Sequence, residues 1–129
     1  MVIDTSAVIA ILFGEGDAER YSTAIDIDPT RLMSAASVLE ACLVVERELG
    51  EEGNRELDFL LLKIGIETIA FNEAQLQVAR HAFREYGKGR HPAGLNFGDC
   101  FSYALSRTSG EPLLFKGDDF SKTDVIACL

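Results

Sequence analysis

The sequence predicts an α/β protein: a three-layer α/β/α sandwich around a small, mostly parallel sheet of four to five strands. Three observations point there. Short apolar runs alternate along the chain with longer segments of helical periodicity, and strands separated by helices pair in parallel with helices on both faces. The 129 residues, 47% hydrophobic and 26% charged, suffice for one core without disulfides. No repeat, low-complexity tract or linker divides them, so residues 1–129 read as a single domain.

Taken in order, Val2 to Asp4 is a short buried strand and Ala7 to Phe13 a helix, broken at Gly14 and Gly16. Asp17 caps a second helix running to Ile27, and Asp28-Pro29 turns the chain into a strand over Arg31 to Ser34. A strongly apolar helix follows from about Ser37 to Leu49. Another runs from about Arg55 to Lys63, the two being separated by Gly50 and Gly53. Ile64 to Ala70 is a third strand. Asn72, with Gln75 as its capping-box partner, opens a helix whose core stripe is Ala74, Val78, Ala82, Phe83 and Tyr86. A basic, glycine-rich loop from Gly87 to Gly94 precedes a helix over Gly98 to Thr108. Leu113 to Phe115 is a fourth strand, and Val125 to Cys128 is expected as a short fifth at an edge.

A net charge of −9 argues against indiscriminate nucleic-acid binding over a broad basic surface. Yet Arg80, His81, Arg84, Lys88, Arg90 and His91 crowd one segment against Glu85 alone, and Arg80, Arg84 and Lys88 share a helix face. They are either a solvated face or a local phosphate-facing patch. Cys42, Cys100 and Cys128 show no paired spacing, which predicts free thiols and a cytoplasmic location. No apolar run nears the ~20 residues of a membrane span, and no basic segment precedes the first apolar stretch, so neither a membrane association nor a leader is expected.

Four acids stand in unusual places: Asp4 at the end of the first strand, Glu40 in a helix apolar on nearly every face, Asp99 at a helix start, and Asp118 just past the fourth strand. Each has a structural explanation. Asp4 can cap the following helix, although Thr5 and Ser6 could do so equally, and Glu40 fits a capping box with Ser37. Asp99 can favour a helix N-terminus capped by Asn96. Asp118-Asp119 can be a turn. In parallel sheets, however, ligands gather at the carboxyl ends of strands. Acids converging there repel one another unless a hard cation such as Mg²⁺ or Mn²⁺ is shared among them. Such an ion lowers the pKa of a bound water, making a nucleophile for a phosphodiester.

Val2-Ile3-Asp4-Thr5-Ser6-Ala7, Ser37-Val38-Leu39-Glu40, Leu95-Asn96-Phe97-Gly98-Asp99-Cys100 and Leu114-Phe115-Lys116-Gly117-Asp118-Asp119-Phe120, with Thr123-Asp124-Val125, stand in an order and spacing that resembles the PIN-domain ribonucleases, specifically the VapC toxins of bacterial toxin–antitoxin pairs. The resemblance spans essentially the whole chain. It implies a PIN-like fold and a divalent-metal-dependent endoribonuclease, usually dimeric, inhibited by a VapB-like antitoxin. Asp4, Glu40, Asp99 and Asp118 would be the catalytic acids, with Asp4, Asp99 and Asp118 on the metal. Thr5, Ser6, Asn96 and Asp119 would orient them. Many PIN domains carry Thr or Ser two residues before the fourth acid; Lys116 stands there, so Asp118 and Asp119 both stay open. Arg80, Arg84, Lys88, Arg90 and Lys116 are the expected RNA contacts. A phosphorelay receiver is the rival, but Asp4 lacks an acidic neighbour and Asn72 stands where the phospho-acceptor is required. A catalytically silent PIN-like binder is the other alternative.

Overall fold

The computed structural model describes residues 1–129. Four strands, β1 (Val2–Ile3), β2 (Leu32–Ser34), β3 (Glu67–Ile69) and β4 (Leu113–Leu114), form one sheet in the order β3-β2-β1-β4, with every pairing parallel. Between them run α1 (Thr5–Leu12), α2 (Ala18–Ile27), α3 (Ala35–Lys63), α4 (Glu73–Tyr86) and α5 (Phe97–Ser109). The expected fifth strand is reduced to a single parallel bridge from Ala127 to Leu113, closed by Leu113 N–H to Ile126 O at 2.8 Å and Cys128 N–H to Leu113 O at 3.0 Å.

Side chains alternate across so short a sheet without exception. Ile3, Met33 and Leu114 point into a core with Ala7, Val8, Ile25, Ala41, Val45 and Leu57, from α1, α2 and α3. Val2, Leu32 and Leu113 point the other way, against Ala82, Leu95, Tyr103 and Leu105, from α4, α5 and the segment joining them. Neighbouring residues of one strand thus serve opposite layers. β1 and β4 are apolar at every position because helices cover both of their faces. β3 lies at the edge and shows Glu67 and Thr68 to solvent.

Several boundaries differ from the sequence expectation, each for a local reason. α1 begins at Thr5 rather than Ala7 because Asp4 itself is the N-cap, its side chain accepting from Ser6 N–H. α3 begins at Ala35 because Ser34 caps it, accepting from Ala36 N–H at 3.3 Å. β3 loses Ile64 to Ile66, which close the end of α3 instead, Ile66 N–H donating to Leu61 O at 3.1 Å. On α4 the buried positions are Gln75, Ala79 and Ala82, while Ala74 and Phe83 are exposed. Asn72 does cap this helix, accepting from Gln75 N–H at 2.9 Å, but the Gln75 amide turns to Ala70 O at 3.0 Å, so the reciprocal half of the box is missing.

The two expected helices over residues 37–63 form one unit with a break at Gly50, where φ is 67° and ψ is −158°. That backbone region is open essentially to glycine alone. Gly53 then sits buried against the preceding limb, where a Cβ would stand 2.9 Å from Val45 Cγ1. The break therefore folds the second limb back closely, with Leu57 delivered to the core. Gly50→Ala is expected to destabilise the protein by about 1–3 kcal/mol in urea titration. An unchanged midpoint would show that the break does not depend on glycine.

Candidate active site

The carboxyl edge of the sheet collects the acids. β1 is flanked by β2 on one side and β4 on the other, so Asp4 lies at the point where strand order reverses, the customary ligand position of parallel sheets. Its carboxylate is 5% exposed and fully engaged. Oδ2 accepts from Ser6 N–H at 3.0 Å and Ser6 O–H at 2.6 Å, and Oδ1 accepts from Ser102 O–H at 2.5 Å. Ser37 Oγ lies 3.2 Å from Ser102 Oγ, and Thr5 O–H donates to Ser37 O at 3.0 Å. Hydroxyls from α1, α3 and α5 thus meet around one carboxylate. Of the Thr5-Ser6 pair, Ser6 bonds the Asp4 carboxylate, whereas Thr5 donates to the α3 backbone.

Asp99 completes a capping box. Asn96 Oδ1 accepts from Asp99 N–H at 2.9 Å, and Asp99 Oδ2 accepts from Asn96 N–H at 3.0 Å. Asp99 Oδ1 has no hydrogen-bond partner within the protein. Burial raises this carboxyl well above the usual range, to about 6. The Asn96 N–H opposes that rise, and the charges of Asp4, Asp119 and Glu40 add to it. No cation contributes. The charge at Asp99 is therefore uncompensated by the protein.

Glu40 is in the second turn of α3, and the expected capping box with Ser37 does not form, because Ser34 holds the cap and Ser37 bonds to Ser102. The Glu40 carboxylate instead lies against the backbone of Gly98, where a Cβ would come within 2.8 Å of its Cδ. Gly98 leaves the room in which Glu40 approaches Asp99. Of the acidic pair after β4, Asp119 is among the charges that raise the Asp99 carboxyl. Both are exposed, and Asp118 O accepts from Ser121 O–H at 2.6 Å. Lys116, expected at the phosphate, is ion-paired with Glu15, while its backbone N–H donates to Ser6 Oγ at 2.9 Å.

No three His, Cys, Asp or Glu side chains are close enough to make a ready cation cage. The donor set nevertheless suits a hard ion. It is all carboxylate, with an unused Asp99 oxygen and unneutralised charge, which fits Mg²⁺ or Mn²⁺ rather than a soft metal. The neighbouring thiol of Cys100 donates to Asn96 O at 3.3 Å and is pushed up to about 11 by burial and Asp99, so it stays protonated and offers no thiolate. Of the basic residues, Arg80, Arg84, Lys88 and Arg90 are exposed and take part in no ion pair.

Ser102, Ser37 and Gly98 belong to the site and escaped the sequence reading. Ser102 had a usable signal, standing one helical turn beyond Asp99 on the same face. Asn72, the position a receiver domain would need as an acid, is a helix cap.

A family model for the PIN domain matches residues 1–126. The chain belongs to the PIN-domain family. Within it the chain is of VapC type: it is 56% identical over 125 residues to ribonuclease VapC30 of Mycobacterium tuberculosis, covering 97% of this chain and 95% of that protein. Solved structures share the fold at low identity. VapC20 of M. tuberculosis, described as a toxin that cleaves the sarcin-ricin loop, superposes with a TM-score of 0.77 at 16% identity, over 97% of this chain and 95% of that one. The VapBC2 complex of Rickettsia felis, bound to a DNA fragment from its promoter, does so at 0.74 and 14%, over 98% and 94%.

The free carboxyl of Asp99 carries a stability consequence. Its folded pKa of about 6 exceeds the ordinary 3.8, so the folded state holds a proton that the unfolded state has released between those pH values. Stability from this group is highest below pH ~4 and falls as pH rises to ~6. In chelator, Asp99→Asn is expected to exceed the wild type by about 1 kcal/mol at pH 7.5, after allowance for solvent screening, with the gap closing toward pH 4. Urea titrations across that range check it; a gap that widens as pH falls would reverse the assignment.

Proposed function

We propose that this protein is the toxin of a toxin–antitoxin pair and acts as an endoribonuclease dependent on Mg²⁺ or Mn²⁺, with Asp4, Glu40, Asp99 and Asp119 as its acidic centre. The observation that carries the reading is Asp99. Its partly buried carboxyl is raised first by loss of water and then by the charges of Asp4, Asp119 and Glu40, three acids from distant parts of the chain, with no protein cation to offset them. When bound, a divalent ion supplies the missing positive charge and a water acidic enough to attack a phosphodiester.

The chain's own residues do the positioning. Asp4 cannot rotate, because both oxygens are hydrogen-bonded. Asp99 offers Oδ1 outward while Asn96 holds Oδ2. Glu40, against Gly98, and the exposed Asp119, in the turn after β4, would complete the set of acids around such an ion. Asp118 is displaced from the set expected from sequence in favour of Asp119. Asp119 is preferred because its charge is among those that raise the Asp99 carboxyl. The unpaired Arg80, Arg84, Lys88 and Arg90 supply the sequence-independent grip on RNA phosphates that an acidic chain otherwise lacks.

RNA is the substrate supported by the name of the VapC30 relative, and a VapB-like antitoxin the partner supported by the R. felis complex. The apolar surface for such partners, or for a second copy in a homodimer, is on α3, where Leu39, Leu43, Phe59 and Leu62 are 57–78% exposed. Ile25 on α2 is fully buried and takes no part in it. No helix is long and apolar enough to cross a membrane, and the work proposed for the chain is in the cytoplasm.

Purified protein is expected to cleave single-stranded RNA with Mg²⁺ or Mn²⁺ and to lose cleavage in excess chelator. Asp4→Asn, Asp99→Asn and Asp119→Asn are each expected to lower the rate at least ~100-fold, an effect in the range of a lost transition-state contact, whereas Asp118→Asn stays within a few-fold. Equal loss in both neighbours, or none in Asp4→Asn and Asp99→Asn, removes the proposal. Gly98→Ala is expected to keep the fold and displace Glu40, so that its loss of activity does not add to that of Glu40→Gln. Additive losses would separate Gly98 from Glu40.

A further inference from the structure

Beside the acids, α4 and the start of α5 enclose a cleft of about 380 Å³ lined by Phe71, Leu76, Arg80, Phe83, Phe97 and Phe101. Phe97 is 80% exposed and Phe83 41%. So large an exposed ring is unusual one residue from Gly98 and two from Asp99. It is not loose: Phe97 meets Phe101 edge to face at 4.9 Å, and Phe101 meets Phe71 likewise at 4.7 Å. The ring is thus propped on two half-buried aromatic rings with most of its own surface uncovered. Across the cleft the Arg90 guanidinium lies 6.0 Å over the Phe83 ring, and Arg80 forms part of the lining.

We propose that this cleft takes one unpaired nucleobase of the RNA, stacked on Phe97, next to the phosphate presented to the acids. The inference rests on the ribonuclease reading and adds a subsite to it. Both halves of the lining favour this occupant. Every base has a π-face that stacks on an exposed aromatic ring, and the phosphates on either side of it meet Arg80, Arg84, Lys88 and Arg90. Those cations are unpaired on a chain of net charge −9, so a polyanion is what they are complementary to. An apolar protein helix would use the phenylalanines but leave the arginines idle. The base must be unpaired, since a duplex hides its faces in the stack.

The chain has no tryptophan, so Phe97→Trp introduces a single fluorophore at the cleft. In chelator, which prevents metal-dependent cleavage, a six-nucleotide oligoadenylate is expected to quench the introduced indole saturably. A six-unit abasic ribose-phosphate chain is expected to bind more weakly and leave the emission unchanged. By anisotropy of the labelled oligoadenylate, Phe97→Leu should weaken binding about tenfold and Phe97→Tyr less than twofold. The exposure of Phe97 makes both variants compatible with folding. Equal binding of base-bearing and abasic chains overturns the proposal. So does unchanged affinity in Phe97→Leu, including the case in which that variant only loses a dimer in sedimentation or only weakens antitoxin binding. Wild-type cleavage is scored separately: a wild type that cleaves while Phe97→Leu binds normally sinks the subsite alone. A wild type that never cleaves RNA sinks the ribonuclease reading without deciding the titration.

Discussion

Like charges brought together at the end of a sheet will separate unless something holds them, and here the holding is done by neutral hydroxyls. Asp4 is buried, and each of its oxygens receives a serine proton, from Ser6 on α1 and Ser102 on α5. Ser37 extends the same cluster into α3. A carboxyl group whose oxygens are hydrogen-bonded in this way tolerates burial. Everything else at the site is arranged around that fixed point. Asp99 is one turn before Ser102 on α5, and Glu40 is one turn after Ser37 on α3, so the hydroxyl contacts that fasten the helices also set where the two acids stand.

The fold makes this economical because the same short elements serve core and site. Along β1, Val2 faces one helical layer, Ile3 the other, and the next residue is Asp4. On α5, Tyr103 and Leu105 fill the core beyond the sheet, while Asp99 and Ser102 face the carboxyl edge. Local helix chemistry then does double duty. The Asp4 cap and the Asn96–Asp99 capping box satisfy backbone amides and, in doing so, aim carboxylates toward the sheet's end. Capping and a role in the site are therefore not competing explanations of these acids; one positions the residue for the other.

Charge is partitioned in the same spirit. Acids dominate the chain as a whole, whereas Arg80, Arg84, Lys88 and Arg90, none of them ion-paired, stand close together on α4 and the loop after it. A protein of this net charge gains no affinity for nucleic acid from its surface at large. The exposed phenylalanines beside these basic residues give the same surface an apolar component that phosphate contacts alone lack.

The sequence by itself determined the order of strands and helices, the parallel sheet, most caps, and the presence of Asp4, Glu40 and Asp99 at the sheet's edge. These follow from periodicity and from short-range hydrogen bonding, which act within a few residues. It misplaced what depends on distant contacts. Ser37 read as a cap for Glu40, but Ser34 is nearer the true helix start and Ser37 is drawn to Ser102 instead. Phe83 read as core, yet α4 turns Ala82 inward and leaves the phenylalanine outside. Asp118 and Asp119 are indistinguishable as neighbours in a turn, and only the packed structure puts the charge of Asp119 among those acting on Asp99. The bond from Ser102 to Asp4 joins residues 98 positions apart. No pattern along the chain encodes such a contact, because it exists only once three helices have packed against the sheet and excluded water from the space between them.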